Sequence, residues 1–210
     1  MFITLEGGEG VSKSTQSKML SQYLFACGVD NILTREPGGT PFGEQFRDLV
    51  LQTKLNAKSE LLAMMAARSE HICQVIAPAL QQGKVVICDR FIDSTACYQT
   101  QNNDIDIEMV YDLHHQMFGN LLPSLTILLD LDPQIATQRV IARAMASNQV
   151  ALDKNESNHL DYHIAIRAKY KLLAEKFADR IKVVQAAGSP QEIHLKIATL
   201  VNYYIKLDGL

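Results

Sequence analysis

The chain has 210 residues, 47% of them hydrophobic, and a formal net charge of −3. That is enough apolar material for one compact domain, at most with a small lid, and too little positive charge for a broad nucleic-acid or anionic-membrane footprint. The apolar runs are too short to cross a bilayer, no basic stretch with a long apolar segment opens the chain, and Cys27, Cys73, Cys88 and Cys97 have no C-x-x-C spacing. These features predict a cytoplasmic protein with reduced thiols, no signal peptide, and neither nucleic acid nor membrane as partner.

Residues 2–15 read FITLEGGEGVSKST. A short apolar strand (2–5) enters a turn bearing Gly7, Gly8 and Gly10, and Lys13, Ser14 and Thr15 then open a helix expected over 16–27, with Gly28 as its stop. Strand, glycine turn, Lys-Ser and helix is the layout of a phosphate-binding loop. Successive backbone N–H groups surround phosphate oxygens, the helix N-terminus adds partial positive charge, the lysine reaches the β- and γ-phosphates, and the next hydroxyl ligates magnesium. The candidate nucleotide cradle is therefore Gly7, Gly8, Glu9, Gly10, Val11, Ser12, Lys13, Ser14 and Thr15. One position departs from G-x-x-x-x-G-K-[ST], because Ser12 replaces the second glycine. Glycine alone reaches positive φ freely, so serine is expected to fit if its φ is negative, and otherwise to weaken the cradle.

Four further segments read as strands, at 31–34, 84–89, 125–131 and 180–185, with helical patterns between them. Runs such as Val85-Val86-Ile87-Cys88 suit strands buried on both faces. The alternation predicts an α/β fold, an open parallel five-stranded sheet with helices on both faces. Ligands in such folds sit beyond the carboxyl ends of the strands, where Glu6, Arg35-Glu36, Asp89-Arg90 and Asp132 fall.

After the second strand, Thr34-Arg35-Glu36-Pro37-Gly38-Gly39-Thr40 reads as a tight turn. A long helix is expected over 58–82, with Leu61, Met64, Met65, Ile72, Val75, Ile76 and Ala79 on one face. Arg68 lies on that same face, where a guanidinium either snorkels, pairs with a core carboxylate or grips an anionic ligand. The third strand ends in DRFIDSTACYQ, residues 89–99. Asp89, beside the loop strand, suits magnesium, and Arg90 suits bridging donor and acceptor phosphates. His114-His115 read as surface or cap residues. Asp132-Pro133 and Ser189-Pro190 read as helix starts, and Arg139 and Arg143 form an i,i+4 pair. The polar stretch at about 143–160 reads as a lid or as a solvated loop.

Taken together, FITLEGxEGxxKST, TREPGGT, AAR-x-EH, DRFIDSTACYQ and LTILLDLDP resemble bacterial thymidylate kinase, with the likeness running from Phe2 to about Ile205. The resemblance implies the P-loop kinase fold with a lid, a homodimer, and transfer of the γ-phosphoryl group of Mg2+-bound ATP to dTMP. It implies that residues 7–15 hold the ATP phosphates and that Glu9 faces the dTMP sugar. Glu36 and Pro37 would shape the acceptor site, Arg47 and Arg90 grip the dTMP phosphate, and Arg68 and Thr95 read the thymine edge. Ser94 and Gln99 would lie alongside, and Tyr98 would exclude a ribose 2′-OH. Ser14 and Asp89 would organise magnesium, and Lys13, Arg90 and the lid cations Arg139, Arg143 and Lys154 would serve catalysis.

Several positions depart from the family pattern. Besides Ser12, Met64 stands where a phenylalanine usually stacks on thymine, Thr100–Asp104 replace a G-x-x-R-G run, Lys154 replaces an arginine and Ala165 a cation. Three readings follow: an active dTMP kinase, a nucleotide-binding homologue with weak or no turnover, and a kinase for another nucleotide, against which Arg68, Thr95 and Tyr98 argue.

Overall fold

The computed structural model describes residues 1–53, 55–101, 104–146 and 155–208. Five parallel strands form one sheet: β1 (Phe2–Glu6), β2 (Asn31–Arg35), β3 (Val85–Asp89), β4 (Leu125–Asp130) and β5 (Ile181–Gln185), in the spatial order β2-β3-β1-β4-β5. The predicted strands are thus all present, within two residues of their expected ends. Alternation along β1 sends Phe2 into one apolar cluster, with Val86, Cys88 and Phe91, and Ile3 and Leu5 into another, with Val85, Ile87, Leu20 and Leu24. Both faces of the central strands are therefore buried, as their unbroken apolar runs require.

The helices are α1 (Lys13–Ala26), α2 (Pro41–Gln52), α3 (Ala57–His71), α4 (Ala77–Gln81), α5 (Ile92–Tyr98), α6 (Ile107–Phe118), α7 (Pro133–Ala146), α8 (Leu160–Lys176) and α9 (Pro190–Asp208). Helices α1 and α9 cover one face of the sheet, and α3, α5 and α8 the other. The expected helix starts have the expected chemistry. Asp132 Oδ1 accepts from Gln134 N, and Ser189 and Glu192 cap each other reciprocally ahead of α9.

The helix expected over 58–82 is continuous but not uniform. A π turn at Ile72–Ile76 joins α3 to α4. Pro78 lacks an N–H and its ring crowds the carbonyl four residues back, so the turn before it widens. His114 corrects a second expectation. It is neither surface nor cap but buried at 1% exposure, its ring edge-on to Phe91 and Phe118. Burial and the charge of Arg68 lower the imidazole pKa to about 4.

Register decides what sits at the working edge of the sheet. Leu5 of β1 and Arg35 of β2 flank Asp89 of β3, and Glu6 lies beside Leu128. Among the described residues, no helix is long and apolar enough to cross a membrane.

Candidate functional site

The loop between β1 and α1 wraps over the carboxyl end of the sheet. Two glycines are sterically required there. A Cβ on Gly7 (φ +138°) would stand 2.6 Å from Leu129 O, and one on Gly10 (φ +73°) 2.2 Å from Ala136 O. Of the two alternatives for Ser12 the structure takes the positive one, because it lies in the left-handed region at φ +73°, ψ +26°, and its side chain makes no capping bond to α1. The loop therefore accepts a serine side chain in space while straining its backbone. Val11 contributes only its backbone to the loop surface, because its side chain is buried in the core.

Lys13 is buried and donates to Gly7 O (3.1 Å) and Gly8 O (2.6 Å), folding back along the loop. Burial and the neighbouring Arg90 charge bring its amine down to about 8. Ser14 Oγ donates to Asp89 Oδ2 at 2.5 Å, and no donor among the described residues reaches the buried Asp89 Oδ1.

Arg90 occupies the centre of the site, at φ +73°. Its guanidinium pairs with Glu9 at 2.5 Å, donates to Gly7 O and Ser94 Oγ at 3.2 Å each, and lies 5.0 Å over the Tyr98 ring. The Tyr98 hydroxyl donates to Glu9 at 3.0 Å. Burial works to raise the Glu9 carboxyl, but Arg90, Lys13 and Tyr98 outweigh it and hold it at about 2.

Two clefts meet at this point. One, of about 1080 Å³, runs along Ser12, Lys13, Ser14 and Thr15 past Arg35, Asp89, Arg139 and Arg143. The other, of about 680 Å³, is walled by Pro37, Met64, Arg68, Ser94, Thr95, Tyr98 and Gln99. Glu9, Glu36, Arg47 and Arg90 line both. The first is polar and cationic, and Phe91 and Met64 add apolar surface to the second.

The floor of the second cleft is a buried charge cluster. Arg68 spans from Glu36 Oε2 (2.7 Å) to Thr95 Oγ1 (2.8 Å), 4.8 Å over the Phe91 ring. Of the alternatives left open for Arg68, pairing with a core carboxylate is thus realised, and on the wall of a cleft. Glu36 also meets His71 Nδ1 (3.0 Å), whose Nε2 lies 2.6 Å from Thr34 Oγ1. A carboxylate only accepts, so Nδ1 carries a proton and donates to Glu36, while Thr34 Oγ1 holds the other ring nitrogen. Burial alone would raise the Glu36 carboxyl, and Arg68 with His71 lowers it instead. The Glu36–Pro37 peptide is cis, and Arg47 donates to Pro37 O at 3.3 Å. Gln99 donates to Glu60 at 3.1 Å.

Most expected site residues thus converge on the two clefts. The lid cations are less uniform. Arg139 lines the phosphate-side cleft but donates to Ala186 O and Gly188 O, tying it to the β5–α9 turn. Arg143 lines the same cleft and pairs with Glu156. Lys154 and the central part of the expected lid, together with residues 102 and 103, lie outside the described residues. Arg35, noted at the end of the second strand without a role, lines the phosphate-side cleft, and sequence reading missed His71 and Tyr170. His71 stands three residues after Arg68 in AAR-x-EH, a spacing that puts both on one helix face. Tyr170 carries no such signal.

A strained glycine loop on a helix N-terminus, a lysine folded under it, a Ser–Asp pair at its end and a second cleft sharing its arginine define a P-loop nucleotide phosphotransferase. A family model described as thymidylate kinase matches residues 5–197. Thymidylate kinases from Rickettsia bellii (strain RML369-C) and Rickettsia peacockii (strain Rustic) are each 44% identical to the chain. The first alignment covers 96% of this chain and 95% of the relative, the second 92% and 93%. The crystal structure of thymidylate kinase from Ehrlichia chaffeensis superposes with a TM-score of 0.75 at 33% identity, over 96% of this chain and 98% of that one. The chain belongs to the thymidylate kinase family, the ATP-dependent nucleoside monophosphate kinases that act on thymidylate.

Proposed function

We propose that the chain transfers the γ-phosphoryl group of ATP to the 5′-phosphate of dTMP, releasing ADP and dTDP. The observation that carries this reading is Arg90, the strained residue at which the phosphate-side cleft and the acceptor cleft meet. Residues 7–15 hold the ATP phosphates through backbone N–H groups, with Lys13 on the β- and γ-oxygens, where added negative charge keeps its amine protonated.

On the other side, Arg47 and Arg90 take the dTMP phosphate. Arg68 and Thr95 meet the thymine edge, Met64 and Phe91 flank the ring, and Glu36 with Pro37 shapes the pocket. Ser94 and Gln99 complete its wall. Tyr98, anchored on Glu9, closes the space beside the sugar and favours a deoxy substrate. A dissociative phosphoryl transfer needs positioning and charge stabilisation rather than covalent help, and Lys13, Arg90, Arg139 and Arg143 supply the cations around one cleft, with Lys154 assigned the same task from the lid.

The residues present fit a magnesium ion, because Asp89 Oδ1 is buried with no donor among the described residues and Ser14 Oγ stands at Oδ2. When bound, the ion neutralises charge on the β- and γ-phosphates. Asp89 and Ser14 are the groups that would hold it, with water and phosphate oxygens in the remaining positions.

A nucleotide-binding homologue without turnover is not favoured, since Lys13, Ser14, Asp89 and Arg90 are all in place. We assign the protein to the cytoplasm, where soluble nucleotides meet it and its four free thiols stay reduced. We also propose a homodimer.

The test is ADP release from Mg·ATP with dTMP, dUMP, dCMP and ribo-TMP as acceptors. Turnover confined to dTMP supports the proposal, whereas turnover confined to another acceptor, or none with any, refutes it.

A further inference from the structure

Glu6 has no place in the phosphoryl transfer described above, yet its carboxyl group is heavily engaged beside it. It ends β1, is fully buried, and immediately precedes the phosphate loop. Its Oε1 accepts from Phe91 N at 2.7 Å. Its Oε2 accepts from Ser94 Oγ at 2.6 Å and from Tyr170 OH at 3.0 Å. Three elements, β1, α5 and α8, thus converge on one carboxyl group.

Two of these bonds lead to Arg90. Phe91 N belongs to the peptide that follows Arg90, and Arg90 holds a left-handed φ that only glycine adopts freely. The bond from Phe91 N to Glu6 therefore fastens the kink that aims the Arg90 side chain. The second route is through a hydroxyl. A guanidinium only donates, so a Ser94 lone pair faces Arg90 Nη1, 3.2 Å away, and the Ser94 proton goes to Glu6 Oε2 at 2.6 Å, the shorter of its two contacts, the other being the Tyr170 hydroxyl at 2.8 Å, which itself donates to Glu6. Glu6 thereby orients a hydroxyl that steadies the guanidinium from the acceptor side.

We infer that Glu6 is a positioning residue for Arg90, acting through the Phe91 backbone and the Ser94 hydroxyl without touching either substrate. The inference rests on the role of Arg90 proposed above. Burial and the nearby Asp93 charge raise the carboxyl to about 7, the cost of keeping an acid there, while Arg90 and the Ser94 hydroxyl oppose that rise.

A double-mutant cycle on the full chain tests it, with Glu6→Gln, Arg90→Ala and the double variant assayed by transfer of labelled phosphate from Mg·ATP to dTMP. Glu6→Gln keeps the shape but puts an amide NH2 where one acceptor oxygen stood. It is expected to lower kcat about 10- to 100-fold while the ATP KM stays within about twofold. In the Arg90→Ala background the same change should cost less than about twofold, since no guanidinium remains to be aimed. Ser94→Ala, which cuts only the hydroxyl route, should also lose its effect in that background, and it stands in if Glu6→Gln does not fold.

The inference is overturned if Glu6→Gln turns over at the wild-type rate, or if its penalty is undiminished without Arg90. A wild-type protein with no turnover, or Arg90→Ala at full speed, instead refutes the site reading beneath it. Both of those results are visible before the cycle is read.

Discussion

Replacing Ser12 by glycine should stabilise the protein and tighten its grip on ATP. Ser12 sits at φ +73°, ψ +26°, a conformation that costs an L-residue about 1–2 kcal/mol. Glycine adopts it without strain but gives the unfolded chain extra freedom, a loss of about 0.5–1 kcal/mol. No capping bond is forfeited, because the serine side chain makes none to α1. The balance is a gain of about 0.5–1 kcal/mol, which for a domain of this size raises Tm by about 1–4 °C. Removing the side chain also lets phosphate oxygens approach the backbone more closely, so the ATP KM should fall, with a smaller change for dTMP. Thermal melts and initial-rate kinetics check both effects, with Ser12→Ala as the control that keeps the strain. A Ser12→Gly protein that melts below wild type, or an alanine variant stabilised as much as the glycine one, would refute the reasoning.

Arg68→Met strands Glu36 in the core with only His71 beside it, and should cost about 3–5 kcal/mol in chemical denaturation. Adding Glu36→Gln should recover part of that loss. Gly10→Ala forces a Cβ to 2.2 Å from Ala136 O, so α7 must shift away from the loop, and ATP binding measured by calorimetry should be lost while far-UV dichroism is retained. Two buried groups should give opposing slopes of stability against pH. The folded pKa of Glu6 is raised from 4.5 to about 7, so the folded state binds more protons and stability falls as pH rises through that window. The folded pKa of His114 is lowered from 6.5 to about 4, so its contribution is lost as pH falls through that window. Each is worth about 3 kcal/mol at its limit, so the two contributions should largely offset each other between pH 4.5 and 6.5, leaving the slope at the acid end to carboxylates held low, such as Glu9. Glu6→Gln should expose the acid loss of His114 and His114→Phe the loss on the alkaline side, as read from denaturant midpoints at fixed pH steps.

The strands, their parallel order of burial and the phosphate loop were legible in the chain because each depends on neighbours a few residues apart. Val85-Val86-Ile87-Cys88 cannot lie on an open sheet face, and Gly7, Gly10 and Lys13 mark a turn into a helix wherever they occur at that spacing. Local order could not decide the sign of φ at Ser12, since the loop is held in place by Leu129 and Ala136 from far along the chain. Nor could it decide whether Arg68 snorkels or pairs. That choice belongs to Glu36, brought beneath it by the β2–β3 register. His114 read as a surface residue because nothing around it in sequence announces the Phe91 ring on which it packs. The clearest case is Glu6, whose three partners come from positions 91, 94 and 170. A buried carboxylate is tolerable only when donors surround it, and only the closing of the sheet and its helices brings those donors together.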